Sequence, residues 1–273
     1  EIILDDVENK KKVFRLVQKV DYVIHLAALI SIPHSYKFPE KHINTNIIGS
    51  FNILEAVKKY KKKCIITSTS ETYGSGIKFP MKEDHRLLAQ SPYAATKISA
   101  DQLALSYHSS FDVKLKIIRP FNCYGPRQSP RAIIPNIILQ ILLGQKKINV
   151  GNLETFRDFT HVKDLCRAYW ALYKSNRGFG EIYNVGSHDS LKISTIYNKI
   201  VKITGFRGKL NIEKKRLRPK KSEVTKLYAS NLKIKKDISW RPLYNFEKGL
   251  KENINWYKEN LSFFKSAKNR YFI

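Results

Sequence analysis

Tyr93 and Lys97 stand four residues apart in the run Ser91-Pro92-Tyr93-Ala94-Ala95-Thr96-Lys97. On a helix that spacing sets both side chains on one face. A lysine ammonium beside a phenol favours the phenolate, which makes the pair an acid–base group usable near neutrality. Upstream lies a run of hydroxyls, Thr67-Ser68-Thr69-Ser70, followed by Glu71, Thr72 and Tyr73. Hydroxyls at a strand end can hydrogen-bond a substrate oxygen beside the tyrosine. The Tyr-x-x-x-Lys spacing alone is a weak signal, since a half-buried tyrosine with a surface lysine has the same pattern. Its place after the hydroxyl run gives it weight.

Those side chains need elements to hold them. The apolar run 21–27 reads as a buried strand, and 64–68 as the next. Between them, Ile43, Ile47, Leu54 and Val57 recur near helical spacing, so a helix is expected over 39–60, with Lys58-Lys59 in its last turn. Ser91 as cap and Pro92 at the first helical position predict a second helix, running to about Ser110. Residues 114–119 and 181–186 read as further strands. Alternating strands and helices imply an α/β fold, a Rossmann-like doubly wound parallel sheet covered on both faces, with ligands beyond the carboxyl ends of the strands. Helices at about 194–204 and 245–259, with basic loops between, suggest a smaller C-terminal lobe. We assign residues 1–130 to an incomplete dinucleotide-binding domain, with 157–187 returning to it. Residues 131–156 and 188–273 then form the substrate-binding lobe.

The 273 residues carry 50 Lys plus Arg against 23 Asp plus Glu, a net charge of +27. That charge would suit a nucleic-acid binder, but the lysines are scattered and no nucleic-acid-binding motif accompanies them. We read the charge as solvated surface, with no nucleic-acid partner. No stretch approaches the roughly 18 uncharged apolar residues of a membrane span. Glu1 and Asp5-Asp6 do not read as a secretory leader. Cys64, Cys123 and Cys166 lie far apart, which excludes a disulfide scaffold and points to a reducing compartment, the cytoplasm by default. His25, His34 and His161 share no metal-ligand spacing, so no metal is expected. Cys123 reads as packing. The sequence holds no Gly-x-Gly-x-x-Gly turn of the kind that lays a pyrophosphate on a helix N-terminus. Glu1 to Asp6 reads as a strand end. The expectation is a sequence lacking the first two strand–helix units of such a sheet, with a raw sheet edge in their place.

The order of the motifs resembles a known family. DYVIHLAA (21–28), NTNIIGSFNILEA (44–56), TSTSETYG (67–74), SPYAATK (91–97), RPFNCYGPRQ (119–128), RDFTHVKD (157–164) and EIYNVGS (181–187) are similar to the extended short-chain dehydrogenase/reductase family. The likeness is to its nucleotide-sugar epimerases and dehydratases. The residues after the threonine at 69 separate the reactions within that family. Epimerases usually carry small or apolar residues there, whereas the 4,6-dehydratases carry a carboxylate. Thr69-Ser70-Glu71 resembles the dehydratases, and the wording of the motifs is most similar to the legionaminic-acid type of N-acetylglucosamine 4,6-dehydratase.

The resemblance implies NAD as cofactor and a GDP- or UDP-linked N-acetylglucosamine as substrate, converted to the 4-keto-6-deoxy sugar. It implies catalytic roles for Thr69, Ser70, Glu71, Tyr93 and Lys97. Tyr93 would take the proton of the 4-hydroxyl, Lys97 would stabilise the phenolate and Thr69 would hold the oxygen. Glu71 would remove the carbon-5 proton, and Ser70 with Glu71 would protonate the departing 6-hydroxyl. Cofactor contacts are implied for Asp6, Val7, Leu26, Ala27, Ala28, Thr45, Asn46, Ser68, Tyr93, Lys97 and Pro120. Substrate contacts are implied for Ser70, Asn122, Arg157 and Arg218, the arginines as forked donors to a diphosphate. The plainer alternative for Arg157 is an ion pair with Asp158. For Arg218 it is membership of a basic surface stretch. A homodimer through helices 39–60 and 92–110 is also implied. A 4-epimerase of the same fold, and an inactive fragment acting at most as a binding protein, are the alternatives.

Overall fold

A computed structural model of the protein describes residues 1–266. Asn9 opens helix α1 (Lys10–Gln18), its side chain accepting from the Lys12 amide. Val13 and Val17, one helical turn apart, are its buried residues. Strand β1 (Tyr22–His25) follows, then α2 (Ile32–Lys37) and α3 (Pro39–Ile43), a π-helical turn over Asn44–Ile48, and α4 (Gly49–Lys59). The continuous helix expected over 39–60 is therefore interrupted by a π segment, a feature that apolar spacing does not signal. Next come β2 (Lys63–Thr67), a 3-10 turn over Ser70–Tyr73, α5 (Pro92–Phe111), β3 (Leu115–Pro120) and β4 (Asn122–Tyr124).

The chain continues through α6 (Ile133–Leu142), β5 (Lys147–Val150), β6 (Phe156–Arg157), β7 (Phe159–His161) and α7 (Val162–Lys174). It ends through β8 (Ile182–Val185), β9 (Leu191–Lys192), α8 (Ile193–Thr204), β10 (Lys209–Ile212), α9 (Leu232–Ile238), α10 (Phe246–Glu259) and α11 (Leu261–Ser266).

Strands β1, β2, β3 and β8 form one parallel sheet in that order. Alternation along the strands sends side chains to two cores. Cys64, Ile66, Leu115 and Ile117 meet α1, α4 and α5 on one face, while Ile65 and Ile118 meet Ala168 and Leu172 of α7 and Ile234 of α9 on the other. Helices thus cover both faces, which is the doubly wound α/β arrangement expected. A third core joins α6, α8 and α10 through Ile137, Ile138, Ile196, Ile200, Leu250 and Ile254. Within β3, Lys116 is buried, and its ammonium donates to the carbonyls of Leu172 and Ser175 at 2.6 Å, closing the end of α7.

β1 is one edge of this sheet, with Ile24 exposed beside a groove of about 550 Å³ lined by Tyr169, Trp170 and Tyr173. The strand end expected over Glu1–Asp6 does not form: among the described residues, 1–6 pair with no strand. Hydrogen bonding takes the segment elsewhere, because the Asn52 amide of α4 donates to the carbonyls of Val7 (3.1 Å) and Glu8 (3.2 Å). Gly49 lets Val7 approach, since a Cβ there would lie 2.5 Å from Val7 Cγ1.

Candidate active site

The carboxyl ends of β2 and β3 and the start of α5 converge. Ser91 caps α5, its hydroxyl accepting from the Ala94 amide at 3.1 Å, with Pro92 in the first turn as the sequence predicts. The helix turns Tyr93 and Lys97 inward; they are 6 % and 3 % exposed. The Lys97 ammonium donates to the Thr67 carbonyl at 2.5 Å, which ties α5 to the last residue of β2. The Tyr93 hydroxyl hydrogen-bonds the Thr69 side chain.

Burial pushes the Tyr93 phenol above its ordinary range; the nearby charges of Glu71 and Asp101 push the same way, and the Thr69 hydrogen bond opposes them. Burial also lowers the Lys97 pKa, while Asp101 raises it. Desolvation therefore outweighs the expected lysine-assisted fall of the phenol.

Thr69 is extended and its hydroxyl accepts from the Glu71 amide at 3.3 Å, while its carbonyl accepts from the Thr72 hydroxyl at 2.8 Å. This fixes the 3-10 turn that carries Ser70 and Glu71. Gly74 ends the turn at φ +60°, and a Cβ there would lie 2.5 Å from the Leu88 carbonyl oxygen.

Two arginines approach the same turn from distant sequence. Arg218 Nη1 lies 3.6 Å from Glu71 Oε1 and 4.0 Å from Glu223 Oε1. Buried Arg157 in β6 reaches Glu223 Oε1 at 3.4 Å, and burial lowers its pKa. Arg157 is not paired with Asp158. Neighbours in extended backbone point to opposite sides, and Asp158 turns away to accept from the Ser187 amide at 2.6 Å and the Ala229 amide at 3.1 Å. Arg218 Nη1 and Asn122 Oδ1 are buried and make no hydrogen bond among the described residues. A guanidinium held by carboxylates only at 3.6 and 4.0 Å suits an anion, and an unpaired amide oxygen suits a hydroxyl donor.

The residues expected at a cofactor divide into two groups. Leu26 and Ala27 are exposed after β1, Ala28 is half-buried beside them, and Pro120 ends β3. Asp6 is exposed, its carboxylate accepting from the Glu8 amide, with Val7 packed at Gly49. Thr45 donates to Glu8 Oε1 at 2.8 Å. Asn46 and Ser68 turn their side chains inward as internal braces. Fully buried Asn46 accepts from the Leu29 amide and donates to the Leu29 carbonyl and Thr96 hydroxyl, which uses both of its amide protons. Ser68 is buried and donates to Asp101 at 2.7 Å.

Residues 1–253 match the family described as GDP-mannose 4,6 dehydratase. The chain belongs to this family. Among curated relatives of the family member, it is 34 % identical over 91 % of its length to a UDP-glucuronate 4-epimerase of Thermodesulfobacterium geofontis, 76 % of which is covered. It is 27 % identical over 97 % of its length to a dTDP-glucose 4,6-dehydratase of Streptomyces antibioticus, 78 % covered. Among solved structures, a Streptomyces venezuelae dTDP-glucose 4,6-dehydratase with NAD bound superposes with a TM-score of 0.87 at 26 % identity, covering 97 % of this chain and 81 % of that one. A Bacillus cereus UDP-glucuronic acid 4-epimerase in complex with UDP-glucuronic acid and NAD gives 0.87 at 29 % identity, covering 94 % and 81 %.

Several residues of this family member's site escape sequence reasoning. Asp101, Arg119 and Tyr73 form a buried network behind Lys97, and Glu223 sits between the two arginines. Asp101 carried one legible signal, its i+4 spacing from Lys97. Glu223 carried none, being 66 residues from Arg157.

Proposed function

We propose that the protein is an NAD-dependent nucleotide-sugar 4,6-dehydratase acting on GDP- or UDP-linked N-acetylglucosamine in surface-glycan biosynthesis. The observation that carries this reading is Glu71, a carboxylate on the turn whose Thr69 hydroxyl bonds Tyr93. The cofactor suits the residues present. Lys97 has three N–H donors, of which Thr67 takes one, leaving two for hydroxyls of a bound ribose. Tyr93, Leu26 to Ala28 and Pro120 lie at the same strand ends. Bound NAD would supply a hydride acceptor that returns its hydride within the cycle, so the net change is loss of water.

The chain's own residues supply position and proton transfer. Tyr93 accepts the proton of the 4-hydroxyl once the charge of Lys97 offsets the burial of its phenol. Thr69 holds the same oxygen. Glu71 takes the carbon-5 proton, made acidic by the neighbouring ketone, and with Ser70 delivers a proton to the departing 6-hydroxyl. Arg218, ion-paired with Glu71 and Glu223 but making no hydrogen bond through Nη1 among the described residues, grips the diphosphate beside Arg157, and Asn122 offers its unpaired Oδ1 to a substrate hydroxyl. We further propose a homodimer through helices 39–60 and 92–110, on the first of which Ile43 and Ile48 are exposed.

The test is mass spectrometry after incubating the protein with NAD and, separately, GDP- and UDP-N-acetylglucosamine. Loss of one water, abolished in Glu71→Gln, supports the dehydratase and names the nucleotide. Unchanged mass with a new sugar isomer would establish the epimerase, the reading favoured by the likeness to the T. geofontis enzyme.

A further inference from the structure

Three charged side chains are buried together behind Tyr93. Lys97, Asp101 and Arg119 are 3 %, 0 % and 1 % exposed. Tyr93, Lys97 and Asp101 follow one another at four-residue steps, so α5 presents all three on one face. Arg119 comes from β3. Asp101 Oδ2 accepts from Arg119 Nε at 3.0 Å, Arg119 Nη2 at 2.9 Å and the Ser68 hydroxyl at 2.7 Å. Asp101 Oδ1 makes no hydrogen bond among the described residues. Arg119 Nη1 donates to the Tyr73 hydroxyl at 3.0 Å, which donates to Asn184 Oδ1 at 2.7 Å.

The charge count matters because water is excluded. Burial raises the Asp101 pKa, while Arg119, the Ser68 hydrogen bond and Lys97 hold it down; with Asp101 ionised, Lys97 and Arg119 contribute two positive charges and Asp101 one negative charge, a sum of +1. Ionised Tyr93 brings the cluster to zero. Without Asp101, two buried cations would face each other with no compensating charge, and the lysine is the one that can lose its proton. The other groups facing the cluster do not replace Asp101. His25, beside Lys97 from β1, is depressed to about 4 by burial and by Lys97 itself, so it is neutral near pH 7. Tyr169 from α7 bonds the Thr67 hydroxyl. Glu71 acts on Tyr93, and Glu83 acts on Tyr73 and Arg119's side of the network.

We propose that Asp101 is a positioning residue, the counter-ion that lets buried Lys97 keep its proton beside Tyr93. This rests on the acid–base reading of Tyr93 and Lys97 given above, and it deepens that reading by one shell of charge.

The test is a pH titration of the full chain carrying lysine labelled with carbon-13 at Cε, the Lys97 signal being the one lost in Lys97→Arg. In the unmodified protein Lys97 stays protonated through neutrality. In Asp101→Asn its midpoint falls by about 1 pH unit, the lower end of the effect of a nearby opposite charge. Asp101→Glu restores most of the shift. In turnover assays the alkaline limb of kcat/KM moves to lower pH in Asp101→Asn, which a general loss of packing would not cause. A wild-type midpoint in Asp101→Asn overturns the proposal. If that variant does not fold, the unmodified protein decides: a Lys97 midpoint below neutrality with Asp101 in place overturns it, and one above neutrality supports it. Because the titration needs no substrate, a shifted midpoint in a protein that turns over neither sugar nucleotide refutes the dehydratase reading and leaves the Asp101 assignment standing.

Discussion

Asp158 offers a quantitative test of how burial and hydrogen bonding compete at one carboxylate. Its carboxylate is fully buried and accepts from the Ser187 amide, the Ser187 hydroxyl at 2.7 Å and the Ala229 amide. Those bonds favour the charged form, but burial outweighs them and lifts the pKa from 3.8 to about 6. A shift of about 2 units at about 1.36 kcal/mol each is worth about 3 kcal/mol. The sign follows from proton counting. Between 3.8 and about 6 the folded protein holds a proton on Asp158 that the unfolded chain has lost. Stability from this group is therefore full below the unfolded value and declines as pH rises through the folded one. Asp158→Asn removes the titration and imposes a pH-independent cost, since an amide nitrogen cannot accept from the Ala229 amide. Urea unfolding of both proteins from about pH 4 to about pH 7 isolates the effect. The wild-type advantage over Asp158→Asn should shrink by about 3 kcal/mol across that range. An advantage that stays constant with pH would refute the claim that burial dominates at this carboxylate.

Tyr93→Phe should lower kcat by about 10²- to 10⁴-fold, the usual worth of a positioned acid–base group, with melting temperature nearly unchanged; steady-state kinetics and calorimetry check both. Arg218→Ala should raise KM for the nucleotide sugar by about 10- to 100-fold, as expected for losing a charge-assisted bond of about 1.5–3 kcal/mol; an unchanged KM would remove Arg218 from the diphosphate site. Gly49→Ala should destabilise by about 1–3 kcal/mol, since its Cβ would meet Val7. Hydrogen exchange should then quicken along residues 1–9, and unchanged protection there would count against the Gly49–Val7 contact as the anchor.

Local physics determined much of this protein from the sequence alone. Apolar runs gave the four parallel strands, Ser91 and Pro92 gave the start of α5, and the four-residue spacing of Tyr93 and Lys97 put both on the face that enters the site. Each of these depends on a few adjacent residues and on backbone geometry that recurs in any fold. α1 was legible in principle, because Val13, Phe14 and Val17 form an apolar stripe, but the lysines around it read as a charge run. Tertiary structure decided the rest. Asn46 and Ser68 turned inward because partners from distant segments, Leu29, Thr96 and Asp101, met them with matching donors and acceptors. Arg157 found Glu223 rather than adjacent Asp158, because extended backbone sends neighbours to opposite sides and a loop 66 residues away returns over one of them. The burial of Tyr93 and Lys97 reversed the expected direction of the phenol's shift, since desolvation depends on everything packed around a group. Sequence spacing fixes which face a side chain takes, whereas its partners and its dielectric surroundings exist only once the chain has crossed itself.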